Sequence, residues 1–117
     1  MSNEPVRRIY YYKNYYLDFF DKLSYAVQRK FNWTLKLVTV IERVPKKFLA
    51  HMEGSNGIFE IRVDAENSIY RIFCFFANDQ RLILLNAFKK KTRKTPRRDI
   101  QLAEKLKKQY FYENNNR

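Results

Sequence analysis

The sequence predicts an α+β domain in which helices pack on one face of a small antiparallel sheet. Three segments, 58–64, 69–77 and 81–88, are rich in β-branched and aromatic residues, and the connections between them are short enough for hairpins. Before and after this meander, apolar residues recur at spacings of three and four, which is typical of amphipathic helices. The resulting order β, α, α, β, β, β, α favours two layers around one core.

The N-terminal half contributes one strand and two helical segments to this prediction. Residues 6–12 are β-branched and aromatic and predict a short strand, after which Asn14 can cap a helix. An apolar stripe then predicts an amphipathic helix over 16–31. The segment 33–44 fits a helix or a strand, and we favour the helix. Residues 45–57 are expected to form a connection that turns at its two glycines.

The last helix is expected to start with Thr95 as its cap and Pro96 in its first turn, and to reach about residue 112. Its apolar stripe consists of Ile100, Ala103, Leu106 and Tyr110. We therefore predict a single domain over residues 1–112, followed by a frayed tail over 113–117. The aromatic residues between 10 and 20 can stack on bases, but their spacing favours packing in the core.

The composition indicates a compact protein with a polyanionic partner. A hydrophobic content of 45% is too high for a disordered chain of 117 residues. Lys and Arg number 24 against 12 Asp and Glu, which leaves a net charge of +12. Nucleic acid, an anionic membrane surface and an acidic protein would all satisfy that charge.

Several other classes of protein are disfavoured by residues that the chain has only once or twice. Cys74 is the single cysteine, so one chain can build neither a disulfide framework nor a thiolate metal site, and a cytoplasmic location is expected. His51 is the single histidine, which excludes a two-histidine nuclease, and we expect it to pack or connect. Gly54 and Gly57 cannot form a phosphate-binding glycine loop. We expect no metal, no cofactor and no membrane-spanning segment.

Two arginines are predicted to face each other across the first hairpin. If Asp64 pairs with Ile69, then Arg62 lies opposite Arg71, with Cβ atoms about 5 Å apart. Like charges at that distance destabilise a sheet unless an anion joins them. The alternative is that Glu60 neutralises Arg62 while Arg71 reaches solvent. Because Arg71 lies in the most apolar strand, we expect a cleft or a partner to reach it.

A basic segment, "AFKKKTRKTPRRD", follows the third strand of the meander. Its seven cations are Lys89, Lys90, Lys91, Arg93, Lys94, Arg97 and Arg98. The second hairpin is expected to place Arg71 opposite Asn86 or Ala87, which brings the lysines within reach. Arg97 and Arg98 begin a helix, where the macrodipole favours acidic residues, so local stability does not explain them.

Two stretches resemble the RelE/HigB superfamily of toxins, specifically its phage-derived Gp49-like branch. "MEGSNGIFEIRV" (52–63) is similar to the family's glycine-containing turn into an "L-[YW]-E-L-R" strand. "YRIFCFF…LILLNAFKKKTRKTPRRDIQLAEK" is similar to "YR" on a strand followed by "L-L-x-x-F-x-K-K-T-x-K-T-P-x-x-E-I-x-x-A", with Asp99 in place of the glutamate. The resemblance is strong over about residues 50–105.

The resemblance implies a RelE-like fold and a function as the toxin of a type II toxin–antitoxin system. It implies cleavage of messenger RNA on the ribosome, controlled by a helix-turn-helix antitoxin of the HigA/XRE type. By position in the motifs, Arg62, Arg71, Lys90 and Lys91 correspond to catalytic cations. At the spacing of the late catalytic tyrosine of some members, this chain has Arg97.

The chemistry that these cations can support needs no metal, since RNA carries its own nucleophile in the 2′-hydroxyl. We assign Arg62 and Arg71 to the phosphate, because an arginine fork suits phosphate oxygens. Neighbouring cations disfavour each other's charged form, so a lysine of the 89–91 run is a candidate for proton transfer. The other cations of the basic segment are expected to bind RNA: Lys89, Arg93, Lys94, Arg97 and Arg98.

Two other functions fit the same charge. A non-catalytic RNA- or DNA-binding module would grip the nucleic-acid backbone without cutting it. A basic structural protein of a large ribonucleoprotein would also be cationic, but the compact grouping of cations at strand ends disfavours it.

Overall fold

The computed structural model describes residues 4–78, 80–94 and 96–115. In chain order the elements are β1 (Arg8–Tyr11), α1 (Tyr15–Asp21), α2 (Tyr25–Val40), β2 (Leu49–His51), β3 (Phe59–Ala65), β4 (Ser68–Asn78), β5 (Arg81–Lys90) and α3 (Arg97–Asn115). None of the described helices is long and apolar enough to cross a membrane.

The strands form one five-stranded sheet in the order β1-β5-β4-β3-β2. The α+β class and the three-stranded meander β3-β4-β5 are confirmed. The prediction of a purely antiparallel sheet is wrong at one edge, since β1 runs parallel to β5. The direction of β1 could not be read from its residues, because its partner lies far along the chain and no hairpin connects the two.

Helices cover both faces of the sheet, which corrects the prediction of helices on one face. On one side, α1 and α2 bury a core that includes Phe31, Ile72 and Leu84. On the other side, α3 packs on a second core that includes Phe73 and Leu85. The physical reason is that the central strands carry apolar side chains on both faces, and each face is buried only when a helix packs on it.

The N-terminal helical region is divided differently from the prediction. The helix predicted over 16–31 is broken after Asp21, and α2 starts at Tyr25 and runs into the segment 33–44 as far as Val40. Ser24 makes this break, because its Oγ accepts a hydrogen bond from the Val27 amide at 3.3 Å. Asn14 does occupy the N-cap position of α1, but its side chain makes no capping hydrogen bond.

The predicted connection over 45–57 contains a short edge strand. Residues of β2 pair with β3, with Ala50 opposite Glu60. Three residues with only one buried side chain leave too little pattern to predict a strand. The two predicted glycine turns are confirmed by positive φ angles of +80° at Gly54 and +78° at Gly57.

The last helix begins at Arg97 and continues to Asn115, beyond the predicted end at about 112. At its start, the Pro96 carbonyl accepts from the Asp99 amide at 3.1 Å, whereas the predicted cap Thr95 lies outside the described residues. Near its end, the Tyr12 hydroxyl donates to Glu113 Oε1 at 2.7 Å. Residues 113–115 are thus helical, and fraying of the tail over 113–117 stays a prediction.

Candidate functional site

A tight hairpin between β3 and β4 places the two predicted arginines. Its loop, Glu66–Asn67, has positive φ angles of +50° and +62°, which is the backbone of a two-residue hairpin that matches the twist of its strands. Asp64 pairs with Ile69, and Arg62 faces Arg71 directly. The predicted register of this hairpin is therefore confirmed.

Both arginines lie on the sheet face on which α3 packs. Ile61 and Ile72, which alternate with them, belong to the core beneath α1 and α2. Glu60 shares the face of the arginines and is buried. Because α3 packs on β4 and β5, the Arg62 side chain on the neighbouring strand β3 stays 37% exposed.

The two arginines have different partners. Arg62 Nη2 lies 3.3 Å from Glu60 Oε2, an ion pair that matches the alternative in which Glu60 neutralises Arg62. Arg62 Nη1 also approaches the Lys46 carbonyl at 3.4 Å. Arg71 Nη1 donates to the Tyr70 carbonyl at 3.0 Å. Of the two guanidinium groups, only that of Arg62 is thus within ion-pair distance of a carboxylate in the described part of the chain.

Each guanidinium keeps one buried donor without an acceptor. Within residues 4–78, 80–94 and 96–115, Arg62 Nε and Arg71 Nε are buried and have no hydrogen-bond partner. A buried donor without an acceptor is costly, typically about 1–3 kcal/mol. Two facing cations favour an anion with several acceptor oxygens, such as a phosphate group, and the buried Nε donors could contribute to its binding if the side chains moved.

The half-buried position of Arg71 also affects its electrostatics. Burial lowers the pKa of the Arg71 guanidinium from its ordinary value, and the Arg62 charge lowers it further. The Glu60 carboxylate, and to a smaller extent that of Asp64, opposes this shift. An arginine nevertheless stays protonated in a protein. The Arg71 charge is therefore partly desolvated, and its attraction to an anion is stronger than it would be in water.

The second hairpin has a register that the sequence analysis did not predict. Arg71 faces Phe88, and the prediction that it faces Asn86 or Ala87 is wrong. From Phe76 to Cys74 the pairing follows one of the two expected registers, that which would place Arg71 opposite Ala87, and the shift between Ile72 and Cys74 then moves the partner of Arg71 to Phe88. A β-bulge has no sequence signature in this segment, so the shift was not predictable.

This register sets the position of α3 relative to the arginines. The Phe73 and Phe88 rings pack with centroids 5.3 Å apart, next to Arg71 along β4. Asn86 is buried, and its Nδ2 donates to the Asp99 carbonyl at 3.1 Å, which fixes the first turn of α3 over the sheet. Sequence reasoning missed this role of Asn86, because the bulge decides which way its side chain points.

The register also separates the lysines of the basic segment. Lys90 pairs with Ile69, which is two residues from Arg71 and therefore shares its face, so Lys90 lies on the arginine face and is half-buried. Lys89 pairs with Tyr70 and lies on the opposite face. Lys91 follows the end of β5 and is exposed. Of the three lysines, the strand alternation thus brings Lys90 to the face of the arginine pair.

The remaining predicted cations lie around the start of α3. Lys94 and Arg97 line a groove of about 1020 Å³ between the 52–55 turn and the first turns of α3. Arg93 and Arg98 are exposed beside it. Residues of this groove lie on the same side of the sheet as the arginine pair, since α3 packs on that face.

Two further residues lie near the arginine pair in the sheet, one on the other face and one on the same face. His51 is exposed in β2, and its ring packs against Phe59 with centroids 5.2 Å apart, away from the arginine face. Glu60 is buried, whereas the sequence predicts only that it can act as a counter-ion. The described ranges contain no cluster of three or more His, Cys, Asp and Glu side chains suited to a metal ion.

Comparison with protein families places the chain in one family. The family described as "Phage derived protein Gp49-like" matches residues 18–108, a range that includes the meander, the arginine pair and most of α3. The comparison with curated proteins gives no match. The match spans most of the sequence and bears out the resemblance seen in its motifs. The chain therefore belongs to the phage-derived Gp49-like family, a family of RelE/HigB-like toxins.

Proposed function

We propose that this chain is the toxin of a type II toxin–antitoxin system and that it cleaves messenger RNA on the ribosome. Membership of a RelE/HigB-like family suggests a toxin with an antitoxin partner. The observation that carries the proposal of RNA cleavage is the facing pair Arg62 and Arg71, each with a buried Nε that lacks an acceptor. A phosphodiester would offset the repulsion between the two charges, and it would supply the missing acceptors if the side chains moved to expose these donors.

The proposed reaction uses the 2′-hydroxyl of the RNA as the nucleophile. The 2′-oxygen gives up its proton and forms a bond to phosphorus, and the bond from phosphorus to the 5′-oxygen breaks. The departing 5′-oxygen then takes up a proton. The products are a 2′,3′-cyclic phosphate and a 5′-hydroxyl, so the reaction consumes no water at this step and needs no redox partner.

The two arginines stabilise the negative charge that builds up on the phosphate oxygens in the transition state. Lys90 lies on the same face and is the first candidate for proton transfer, with Lys91 at the strand end as the second. The cations at the start of α3 and in the preceding loop bind the flanking RNA backbone. These are Arg93, Lys94, Arg97 and Arg98, whereas Lys89 lies in β5 on the opposite face of the sheet and is not part of this set.

The proposed antitoxin is an acidic helix-turn-helix protein of the HigA/XRE type. A net charge of +12 on one small domain makes an acidic partner favourable in both encounter rate and specificity. The proposed place of action is the cytoplasm, because the ribosome and its messenger RNA are there.

The test is a cleavage assay with the purified chain and an end-labelled messenger RNA, either free or bound to ribosomes with an empty decoding site. We expect cleavage of the ribosome-bound RNA, products that end in 2′,3′-cyclic phosphate and 5′-hydroxyl, and much slower cleavage of free RNA. The matched control is Arg71→Ala. Products with a 5′-phosphate would contradict the mechanism, and RNA that is bound but never cut would favour a non-catalytic binding module.

A further inference from the structure

The outer side of α2 carries large aromatic side chains that are exposed to solvent. Tyr25, Arg29 and Trp33 follow one another at intervals of four along the helix, so they form one stripe. Tyr25 is 76% exposed and Trp33 is 51% exposed. The Trp33 ring also contacts Phe48, with centroids 5.9 Å apart. We call Tyr25, Arg29, Lys30, Trp33 and Phe48 the α2 face.

The charged residues of the α2 face are all cations. The range Tyr25–Val40 contains no Asp and no Glu. A cation lies over each aromatic ring: Arg29 Cζ is 5.9 Å from the Tyr25 ring, Lys30 Nζ is 4.8 Å from the Trp33 ring, and Lys47 Nζ is 5.2 Å from the Phe48 ring. These contacts hold apolar and positively charged groups side by side in one surface.

The opposite side of α2 explains why this stripe does not serve the fold. The residues that bury α2 against the sheet are Val27, Phe31, Thr34 and Val38. The core is therefore complete without Tyr25 and Trp33. Exposed aromatic residues that form a contiguous patch commonly mark an interaction site.

The composition of the α2 face fits a protein partner. Trp, Tyr and Arg are the residue types that most often dominate the binding energy of protein interfaces. A groove of about 670 Å³ lies beside the stripe, and the small side chain of Ala26 lets a partner approach the helix closely. An amphipathic segment with acidic residues would match both the rings and the cations.

The same contacts disfavour single-stranded RNA as the ligand of the α2 face. A base binds an aromatic side chain by stacking on its free face. Lys30 already lies over the Trp33 ring, and Phe48 packs against that ring with an interplanar angle of 66°. A base would have to displace these side chains, whereas an acidic partner can pair with the cations where they lie.

We propose that the antitoxin docks on the α2 face through an acidic amphipathic segment, an inference that rests on the proposed toxin function. α2 packs on the face of the sheet opposite to that of Arg62 and Arg71. A partner bound to the α2 face therefore leaves the arginine pair open.

Trp33 provides a probe of this surface, because it is the single tryptophan of the chain. The experiment uses the full chain labelled with 5-fluorotryptophan, which gives one fluorine NMR resonance. The probes are the unlabelled antitoxin, which on the proposed function is the product of the reading frame adjacent to that of this chain, and, separately, a 2′-O-methyl RNA oligonucleotide that cannot be cleaved. We expect the protein to shift or broaden the Trp33 resonance at equimolar ratio and the RNA to leave it in place.

Charge reversal tests the same surface without the label. In Arg29→Glu with Lys30→Glu, we expect the affinity for the antitoxin to fall by about tenfold or more. The matched control is Lys105→Glu with Lys108→Glu, which makes the same change of charge on exposed residues of α3 and should alter the affinity by less than about threefold. Melting temperatures of both variants show whether they remain folded.

Three outcomes would overturn the docking proposal: no complex with the adjacent product on size-exclusion chromatography, a complex that leaves the Trp33 resonance unchanged, or a resonance that responds only to RNA. The last result would identify the α2 face as a nucleic-acid surface. Failure of the proposed function gives a different result from failure of the docking proposal. In that case the chain does not cleave ribosome-bound messenger RNA, whether or not the adjacent protein shifts the Trp33 resonance.

Discussion

At the scale of single residues, Arg62 and Arg71 face each other but depend on their surroundings differently. Arg62 forms an ion pair with the buried Glu60, so its removal would leave a buried carboxylate without its partner. Arg71 makes no ion pair within 4.0 Å in the described ranges, and its charge is both partly buried and opposite another cation. Arg71 is therefore the residue at which stability and activity can be separated.

We predict that Arg71→Ala keeps the stability of the fold but loses most of the cleavage activity. The variant loses the packing of the arginine stem and the attraction to Glu60 and Asp64, but it also removes a partly buried charge and its repulsion with Arg62. These effects oppose each other, so the free energy of unfolding should change by no more than about 1 kcal/mol. Loss of one preorganised donor to the transition state should slow cleavage by about a hundredfold to a thousandfold. The measurements are urea denaturation and messenger RNA cleavage on programmed ribosomes.

The control for this variant is His51→Ala, which removes an exposed side chain from the edge strand and should change neither quantity appreciably. Arg62→Ala should lower stability as well as activity, because of Glu60. If Arg71→Ala unfolds the protein, or cleaves as fast as the parent, Arg71 is structural and the proposed site is wrong.

The arginine pair shows what residue patterns can predict. The register of the first hairpin followed from the short loop between two well-marked strands, and Arg62 does face Arg71. The ion pair between Glu60 and Arg62 is one of the two alternatives that the sequence predicts. The burial of Glu60 was not predictable, since it depends on how the edge strand β2 and the neighbouring strands enclose it.

At the scale of elements, the alternation of β5 divides the lysine run. Lys90 lies on the face of Arg71, and Lys89 lies on the face covered by α1 and α2. Two neighbouring residues of the same type thus have different access to a phosphate held by the arginine pair.

We predict that Lys90→Ala lowers the cleavage rate by about a hundredfold, the usual range for loss of a proton-transfer group. Lys89→Ala removes the same charge from the same strand, so it is a matched control and should reduce the rate by less than about fivefold. Single-turnover rates on ribosome-bound RNA make the comparison. Equal losses in both variants would mean that the lysines act only through their overall charge.

The helix boundaries lead to a prediction about stability. Ser24 caps α2 through its hydroxyl, whereas Asn14 occupies the cap position of α1 without a side-chain hydrogen bond. Ser24→Ala should therefore lower the free energy of unfolding by about 1 kcal/mol. Asn14→Ala should lower it by clearly less in the same urea denaturation experiment. A larger loss for Asn14→Ala would contradict these cap assignments.

The same boundaries explain why the helices were less predictable than the meander. The strands of the meander are separated by short turns and are rich in β-branched and aromatic residues, and all three are confirmed. The apolar period of the helices continues across residues 22–24, so it hides the break before α2. A single capping serine decides that break, and an isolated serine is a weak signal in a sequence.

At the scale of the whole molecule, the fold class was predictable but the arrangement of its layers was not. Periodicity shows which side of a helix is apolar, but it does not show which face of a sheet that side covers. The position of α3 opposite α1 and α2 follows from two cores on either side of the central strands. As a result, the α2 face and the arginine pair point in opposite directions.

The net charge of +12 predicts a steep dependence of RNA binding on salt. For single-stranded RNA, the logarithm of the affinity should fall against the logarithm of salt concentration with a slope of about −0.7 for each phosphate contact. Binding of a 2′-O-methyl RNA oligonucleotide at several salt concentrations measures this slope. An affinity that hardly changes with salt would show that contacts to the phosphates do not dominate.

The central claim is that this chain cleaves messenger RNA by using the 2′-hydroxyl next to the phosphate that Arg62 and Arg71 bind. The most direct measurement compares two messenger RNAs on programmed ribosomes, one unmodified and one with a single 2′-deoxynucleotide on the 5′ side of the cleaved bond. We predict that the unmodified RNA is cut and that the deoxy substitution abolishes cleavage at that bond. Cleavage of the substituted RNA at the same bond and rate would contradict the account.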